Sequence, residues 1–334
     1  MAAGLTNRLT FLRLVLAGVA FVCASASYAG WVSDTQTIMG TRVHVEAWSE
    51  DEAHAQGVVQ QVIREMQRID ATYSSYRDDS DLSRVNAEAA AGWVAISTEF
   101  LDILQKSHYV SQISGGAFDI TYASVGRYFD YREGDRPDAE QMDAAVRGIN
   151  YRYVELDPEV PAVRFARKEV YVDLGGIAKG YAVDLGAAIM ERAGIAHGSV
   201  TAGGDSRIIG DRRGKPWTVG VRDPRDESEM VAILPLTDTA VSTSGDYERF
   251  FEADGVRYHH ILDPATGDSA RDSWSVTILG PDAAFTDALS TSVFVLGVEK
   301  GLALVDRLPG IDAIVIDANG KLHYSSELAE LALH

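Results

Sequence analysis

The chain reads as α+β: mixed sheets with packed helices, in two intimately associated subdomains. Three features predict this. Strand-length runs of alternating apolar and polar residues dominate the chain beyond residue 195, and a period of two marks a half-buried strand. Helical runs, apolar at i, i+3 and i+4, interrupt these strands without the regular β-α alternation of a parallel sheet. No fixed-period repeat or low-complexity tract occurs, so no linker separates the two parts.

The composition is that of a globular protein, with 46% apolar and 24% charged residues in 334. The formal net charge of −19 disfavours nucleic acid or an anionic membrane as partner, because nothing would neutralise the phosphates. An anionic ligand would need a local cation or a helix N-terminus. Residues 1–29 carry Arg8 and Arg13, no acid, an apolar stretch from Leu14 to Val22, and small residues around Ser27-Tyr28-Ala29. This is the layout of a signal peptide or N-terminal membrane segment. It predicts export to the periplasmic side of the inner membrane, with residues 30–330 as a single domain. The only cysteine, Cys23, lies in this leader, and the bulky Val22 before it weighs against lipidation. The mature chain would then have no disulfide. No later run reaches membrane-spanning length.

Taken in order, Thr37 to Trp48 alternates and predicts one strand. Ser49 and Glu52 have capping-box spacing; behind them Val58, Val59, Val62, Ile63, Met66 and Ile69 predict an amphipathic helix over 51–70. A second helix is expected from Thr98 to Ile113, ending at Gly115-Gly116, and an exposed loop from Tyr131 to Ala139. Strands return over 163–174, followed by VDLGGIAKGYAVD and a helix to about Ala193. Then come strands at Ser199–Ala202, Trp217–Arg222, Ala232–Leu236, Ala240–Thr243, Arg249–Glu252 and Tyr258–Leu262, the last two joined by the turn Ala253-Asp254-Gly255. A strand at Ser273–Leu279, helices at about Asp282–Leu296 and Lys300–Leu308, and a hairpin IDAIVIDANGKLHYS complete the chain.

Residues 172–184, VDLGGIAKGYAVD, place glycines and Lys179 between a strand and a helix. The stretch is no Walker loop, since Gly180 stands where a Ser or Thr would bind the metal, and the adjacent Gly175-Gly176 breaks the dinucleotide fingerprint. A helix N-terminus open to an anion survives, with close strand-helix packing an equal alternative. Asp287 and Thr291 share one helix face with Ser290 beside them. These hard oxygens suit Mg²⁺, against the plainer reading of a solvated face. The apolar neighbours Ala284, Ala288, Leu289, Val293 and Phe294 imply burial, where a carboxylate needs a partner. His259 and His260 fall on opposite faces of a strand, so only one can address a given site. Either could be a general base or a solvated loop histidine.

Three further corners also set glycines and small residues beside an Asp, namely GGAFDIT at 115–121, Gly203-Gly204-Asp205, and STSGDY at 242–247. Together with Met39-Gly40-Thr41, Tyr73-Ser74-Ser75-Tyr76, Leu82-Ser83, Asn86, HHILDPATG and TDALSTSVFVLG, they resemble in content and order the ApbE family, the FAD:protein FMN transferases. The resemblance spans roughly residues 37–300. It implies a ligand cleft between the two subdomains, FAD as substrate, Mg²⁺ at its pyrophosphate, and transfer of FMN to a threonine of a partner protein with release of AMP. By position it implies Mg²⁺ ligands Asp287, Thr291, Ser290 and the carbonyl of Gly176. It implies FAD contacts from Met39, Tyr76, Ala117, Phe118, Asp119, Asp173, Lys179 and Ile261, with Gly203, Gly204 and Asp205 as further candidates. His260, aligned with the H-I-x-D-P motif, is the expected base.

The chain departs from the family after GGAFDIT, where Tyr122-Ala123-Ser124 and Arg127-Tyr128-Phe129-Asp130 replace a Pro and a later Trp. Tyr128 or Phe129 is expected to supply the missing aromatic. No acceptor-like D-G-x-T-[ST] segment is present, so the target is another protein, such as an exported flavin-carrying subunit of an electron-transfer complex. FAD pyrophosphatase activity and non-catalytic FAD binding are the competing readings.

Overall fold

The computed structural model describes residues 29–226 and 228–332; the leader expected at 1–29, apart from Ala29, lies outside them. The first strand signal proves to be a hairpin, β1 (Gly30–Ile38) and β2 (Thr41–Ser49). Met39 and Gly40 turn the chain at φ 54° and 68°. Two consecutive left-handed residues match the twist of the flanking strands. Helix α1 (Glu52–Tyr73) buries the predicted apolar stripe, but its cap is Asp51 rather than Ser49. Asp51 Oδ1 accepts the N–H groups of Ala53 and His54 at 3.0 and 3.2 Å. Then follow α2 (Asp81–Glu88), β3 (Val94–Ala95), α3 (Thr98–Ile113), α4 (Ala123–Gly126), α5 (Ala139–Ala145), β4 (Val154–Asp157) and β5 (Ala162–Phe165).

The strand expected to run to residue 174 stops at Phe165. Val170, Val172 and Leu174 are buried, yet among the described residues no strand pairs with them. Instead the side-chain amide of Asn86 donates to the Val172 carbonyl and accepts its N–H, both at 2.8 Å. One amide thus satisfies the backbone groups a neighbouring strand would have paired. The segment arrives fixed and extended at Asp173, just before α6 (Ala178–Arg192).

The remainder comprises β6 (Gly198–Ala202), β7 (Asp205–Ile209), β8 (Trp217–Arg222), β9 (Met230–Leu236), β10 (Ala240–Gly245), β11 (Phe250–Ala253), β12 (Val256–His259), β13 (Ser273–Gly280), α7 (Ala283–Val305), β14 (Asp312–Asp317), β15 (Leu322–Tyr324) and α8 (Ser326–Ala332). Eight strands form one antiparallel sheet in the order β1-β2-β6-β7-β10-β13-β14-β15. Helices α1, α6 and α7 pack against it and against one another. Strands β11 and β12 form a separate hairpin, turning at Asp254 and Gly255.

Helix α7 is long and apolar enough to cross a membrane, contrary to the expectation that no later run qualifies. Its length includes a break at Gly297 (φ 70°), so it comprises the two predicted helices. Its apolar residues Ala288, Leu289, Val293 and Phe294 are buried in the protein core.

Candidate active site

Helices α6 and α7 meet almost backbone to backbone. A Cβ at Gly180 would lie 2.1 Å from the carbonyl oxygen of Ala283, so only glycine permits this approach. Asp184, one turn further along α6, accepts the N–H groups of Ala283 and Ala284 at 2.9 and 2.8 Å. It thereby satisfies two free donors at the start of α7. Burial and the nearby Asp282 raise the Asp184 carboxyl to about 7.

This junction brings together residues far apart in sequence. The Lys179 ammonium lies 2.8 Å from Asp205 and 3.2 Å from both carboxylate oxygens of Asp287, and it donates to the Gly175 carbonyl at 3.3 Å. Asp205 and Asp287 are almost wholly buried. Burial opposes the charge on Lys179, but the two carboxylates outweigh it and raise its pKa. Burial and then Asp205 push Asp287 up to about 7, against Lys179 and the N–H of Gly180, which donates to it at 3.0 Å. One turn along α7, Thr291 is half-buried, and a Cβ on Gly176 would stand 3.5 Å from its hydroxyl and 3.2 Å from the Phe118 ring. Asp287, Thr291, Gly176, Phe118 and Lys179 therefore share one locus.

Other expected residues sit differently. Ser290 is fully buried; its hydroxyl donates to the Asp287 carbonyl at 2.8 Å and pairs with Ser244 at 2.7 Å. It is committed to the scaffold, and Ser244 also reaches Thr291 at 3.4 Å. The Asp119 side chain is likewise committed, accepting from Thr121 N–H and hydroxyl and from Tyr151 N–H. Gly203 and Gly204 are needed for packing: a Cβ on either would fall 2.7 Å from the Thr41 hydroxyl or 2.5 Å from the Thr243 carbonyl. Their corner carries Asp205 into the ion cluster. The Ile261 side chain is core, Ala117 is buried, Met39 forms the hairpin turn, and Tyr76 is 86% exposed.

Asp173 accepts from Ser75 at 2.5 Å, Tyr122 at 2.9 Å and Gly175 N–H at 2.7 Å. Burial and then the Asp173 charge hold the Tyr122 phenol well above its ordinary value, so it remains a donor. Tyr122 thus takes a direct part where the family pattern has a Pro. Of the two aromatics beyond it, Phe129 stacks on Tyr131 at 5.6 Å, while Tyr128 is 40% exposed beneath Arg127.

The two histidines separate as expected. His259 is buried, its Nε2 bonded to the Ala270 carbonyl at 2.7 Å and its ring edge-on to Phe294. His260 is half-buried, and its Nδ1 has no hydrogen-bond partner among the described residues. Burial, then Arg249, His259 and Lys179, lower its pKa to about 3. It is held neutral at physiological pH, and its unpartnered Nδ1 is itself buried.

The ApbE family model matches residues 39–315, which contain all of these residues. The chain belongs to the ApbE family. It is 31% identical to an FAD:protein FMN transferase of Treponema pallidum, over 97% of this chain and 94% of that protein. A second, from Vibrio cholerae, is 33% identical over 80% and 82% of the two chains. Among solved structures, the ApbE protein of Thermotoga maritima superposes with a TM-score of 0.84 at 33% identity, covering 90% of this chain and 99% of that one. The flavin transferase ApbE of Vibrio cholerae gives 0.81 at 28% identity, with the same coverage.

Sequence reasoning missed Asn86, Ser75, Tyr122, Ser244, Asp184 and Arg249 as parts of the site. Asn86, Ser75 and Ser244 stand inside the recognised motifs, and Asp184 ends the VDLGGIAKGYAVD stretch, so motif membership was the available signal. Arg249 carries none.

Proposed function

We propose that this ApbE-family protein transfers FMN from FAD to a threonine hydroxyl of a partner protein, with Mg²⁺ at the FAD pyrophosphate. The observation that carries the reading is the convergence of Asp287, Thr291 and Gly176 beside the half-buried Lys179 ammonium. A carboxylate, a hydroxyl and a backbone carbonyl form a hard-oxygen set that fits Mg²⁺, whose shell is completed by phosphates and water. When bound, the ion offsets charge developing on the phosphoryl oxygens and the AMP leaving group.

The protein's own residues supply the rest. Lys179, whose charge is shared with Asp205 and Asp287, stands at the start of α6, where the helix dipole favours an anion in an acidic chain. His260, already neutral, takes the proton of the acceptor threonine as its oxygen forms a bond to the FMN phosphorus. The bond from that phosphorus to the bridging oxygen breaks, and AMP departs with the electron pair. The Asp173 network with Ser75, Tyr122 and Gly175 holds the glycine turn rigid beneath the substrate.

The leader-like residues 1–29 support an exported location on the periplasmic side of the inner membrane. The acceptor is expected to carry a D-G-x-T-[ST]-like segment. Mature protein incubated with FAD, Mg²⁺ and such a domain should yield a covalent, in-gel fluorescent flavin adduct and equimolar AMP. FMN and AMP released at a rate indifferent to acceptor would instead identify a pyrophosphatase.

A further inference from the structure

The β11–β12 hairpin carries a second functional group beside the base. Phe250 pairs with His259, and the next rung is closed by the His260 N–H donating to the Arg249 carbonyl at 3.1 Å. Residues directly opposite in an antiparallel pair project to the same face, with Cβ atoms about 5 Å apart. Arg249 and His260 therefore stand side by side. The next same-face pair, Phe251 and Tyr258, stacks at 5.2 Å, and Tyr131 closes over Phe251 at 6.2 Å. This aromatic wall blocks one end of the face. At the other, Arg249 is exposed, its guanidinium 3.4 Å from where a Cβ on Gly40 would lie.

Four of the neighbouring cations are already paired with carboxylates, while Arg136 donates to the Tyr258 hydroxyl at 2.6 Å. Arg225 and Arg257 hold Asp246, Arg257 also holds Glu252, Arg271 holds Asp268, and Lys179 holds Asp205 and Asp287. Among the described residues no carboxylate lies within ion-pairing distance of Arg249. In a chain of net charge −19, an unpaired cation beside the base marks a place for an anion from outside. Two anions come to this site, the FAD pyrophosphate and an acidic side chain of the acceptor. The pyrophosphate has Lys179 and the start of α6 on the buried side. Arg249 stands on the exposed side, from which the acceptor must approach His260.

We propose that Arg249 is the acceptor-recognition residue: it pairs with a carboxylate close to the modified threonine and so presents that hydroxyl to His260. The assignment rests on the transferase reading. A bidentate guanidinium–carboxylate pair fixes orientation as well as distance, which a base acting on one hydroxyl among many requires.

The test uses the mature enzyme with FAD, Mg²⁺ and an acceptor domain bearing an acidic residue three positions before its threonine. Arg249→Gln and Arg249→Glu should raise the acceptor KM about tenfold and a hundredfold respectively, as expected for losing and reversing a charge-assisted pair. FAD affinity and melting temperature should stay unchanged, and Arg249→Lys should recover part of the loss. Replacing the acceptor's acidic residue by Lys should restore transfer specifically in Arg249→Glu. A fall in FAD affinity with an unchanged acceptor KM would overturn the proposal and give Arg249 to the dinucleotide. Failure of the charge reversal to rescue would also overturn it. Absence of adduct with the unmodified enzyme would instead strike the transferase reading itself.

Discussion

The two halves of the site are built on opposite plans. The inner half, Lys179, Asp205 and Asp287, is buried where α6, α7 and the main sheet meet, and its charges neutralise one another. The outer half, Arg249 and His260, rides on a two-stranded hairpin outside that sheet, with the Arg249 guanidinium unpaired and the His260 Nδ1 unbonded among the described residues. Buried charge must be paired to be tolerated, so the inner half is suited to holding an ion and a phosphate in one geometry. The outer half keeps its polar capacity for a visitor.

The sharpest break falls on the inner half. Asp287→Asn should abolish Mg²⁺-induced thermal stabilisation and reduce transfer by about 10³-fold or more. The same change should stabilise the metal-free protein. The Asp287 carboxyl is raised to about 7, so the folded state binds its proton more tightly than the unfolded state does. Its ionised form therefore costs stability at neutral pH, a cost relieved as pH falls from about 7 towards 4. Asparagine removes that cost, and the metal-free melting temperature at pH 8 should rise by about 1–2 °C per kcal/mol regained. A lower metal-free melting temperature would show that Lys179 needs both carboxylates. For the unmodified enzyme, transfer at limiting Mg²⁺ should decline below about pH 7 as the proton competes for Asp287, and more Mg²⁺ should move that limb to lower pH.

The outer half should fail differently. His260→Asn is expected to slow transfer by about 10²–10⁴-fold while leaving FAD and Mg²⁺ binding intact by calorimetry. Because burial and Arg249 hold His260 near 3, no acid limb near 6.5 should come from it. The smallest effect on chemistry, and a test of whether the inner half depends on the helix junction, is Gly180→Ala. The added methyl meets the Ala283 carbonyl, so overpacking should cost about 1–3 kcal/mol of stability and weaken Mg²⁺ binding. Transfer at saturating Mg²⁺ should change least.

What the sequence disclosed follows the same division. Helix α3 appears between the predicted residues, and the Asp254-Gly255 turn where expected, because local periodicity and turn chemistry decide both. Gly176, Asp287 and Thr291 were legible through motif order. The Met39-Gly40 turn was passed over, since the alternation from Arg42 to Ala47 was extended back across it and methionine is no turn signal. The Asn86 clamp on Val172 joins residues 86 apart and leaves no periodic trace. Ser290 and Asp119 were expected at the ligands from their position in the family motifs; only the fold shows the hydrogen bonds their oxygens already make. Arg249 emerges solely from strand register.

The separation of Lys179 from Asp287, 108 residues, also sets an order of events in synthesis. The glycine turn and α6 leave the ribosome long before α7 exists, so the ammonium first meets only Asp205. Neither the carboxylate nor the hydroxyl of the oxygen set is available until α7 has docked through Asp184. A nascent or truncated chain lacking α7 consequently cannot bring Asp287 and Thr291 to Lys179 and Gly176, and the cluster is complete only once the last long helix is in place.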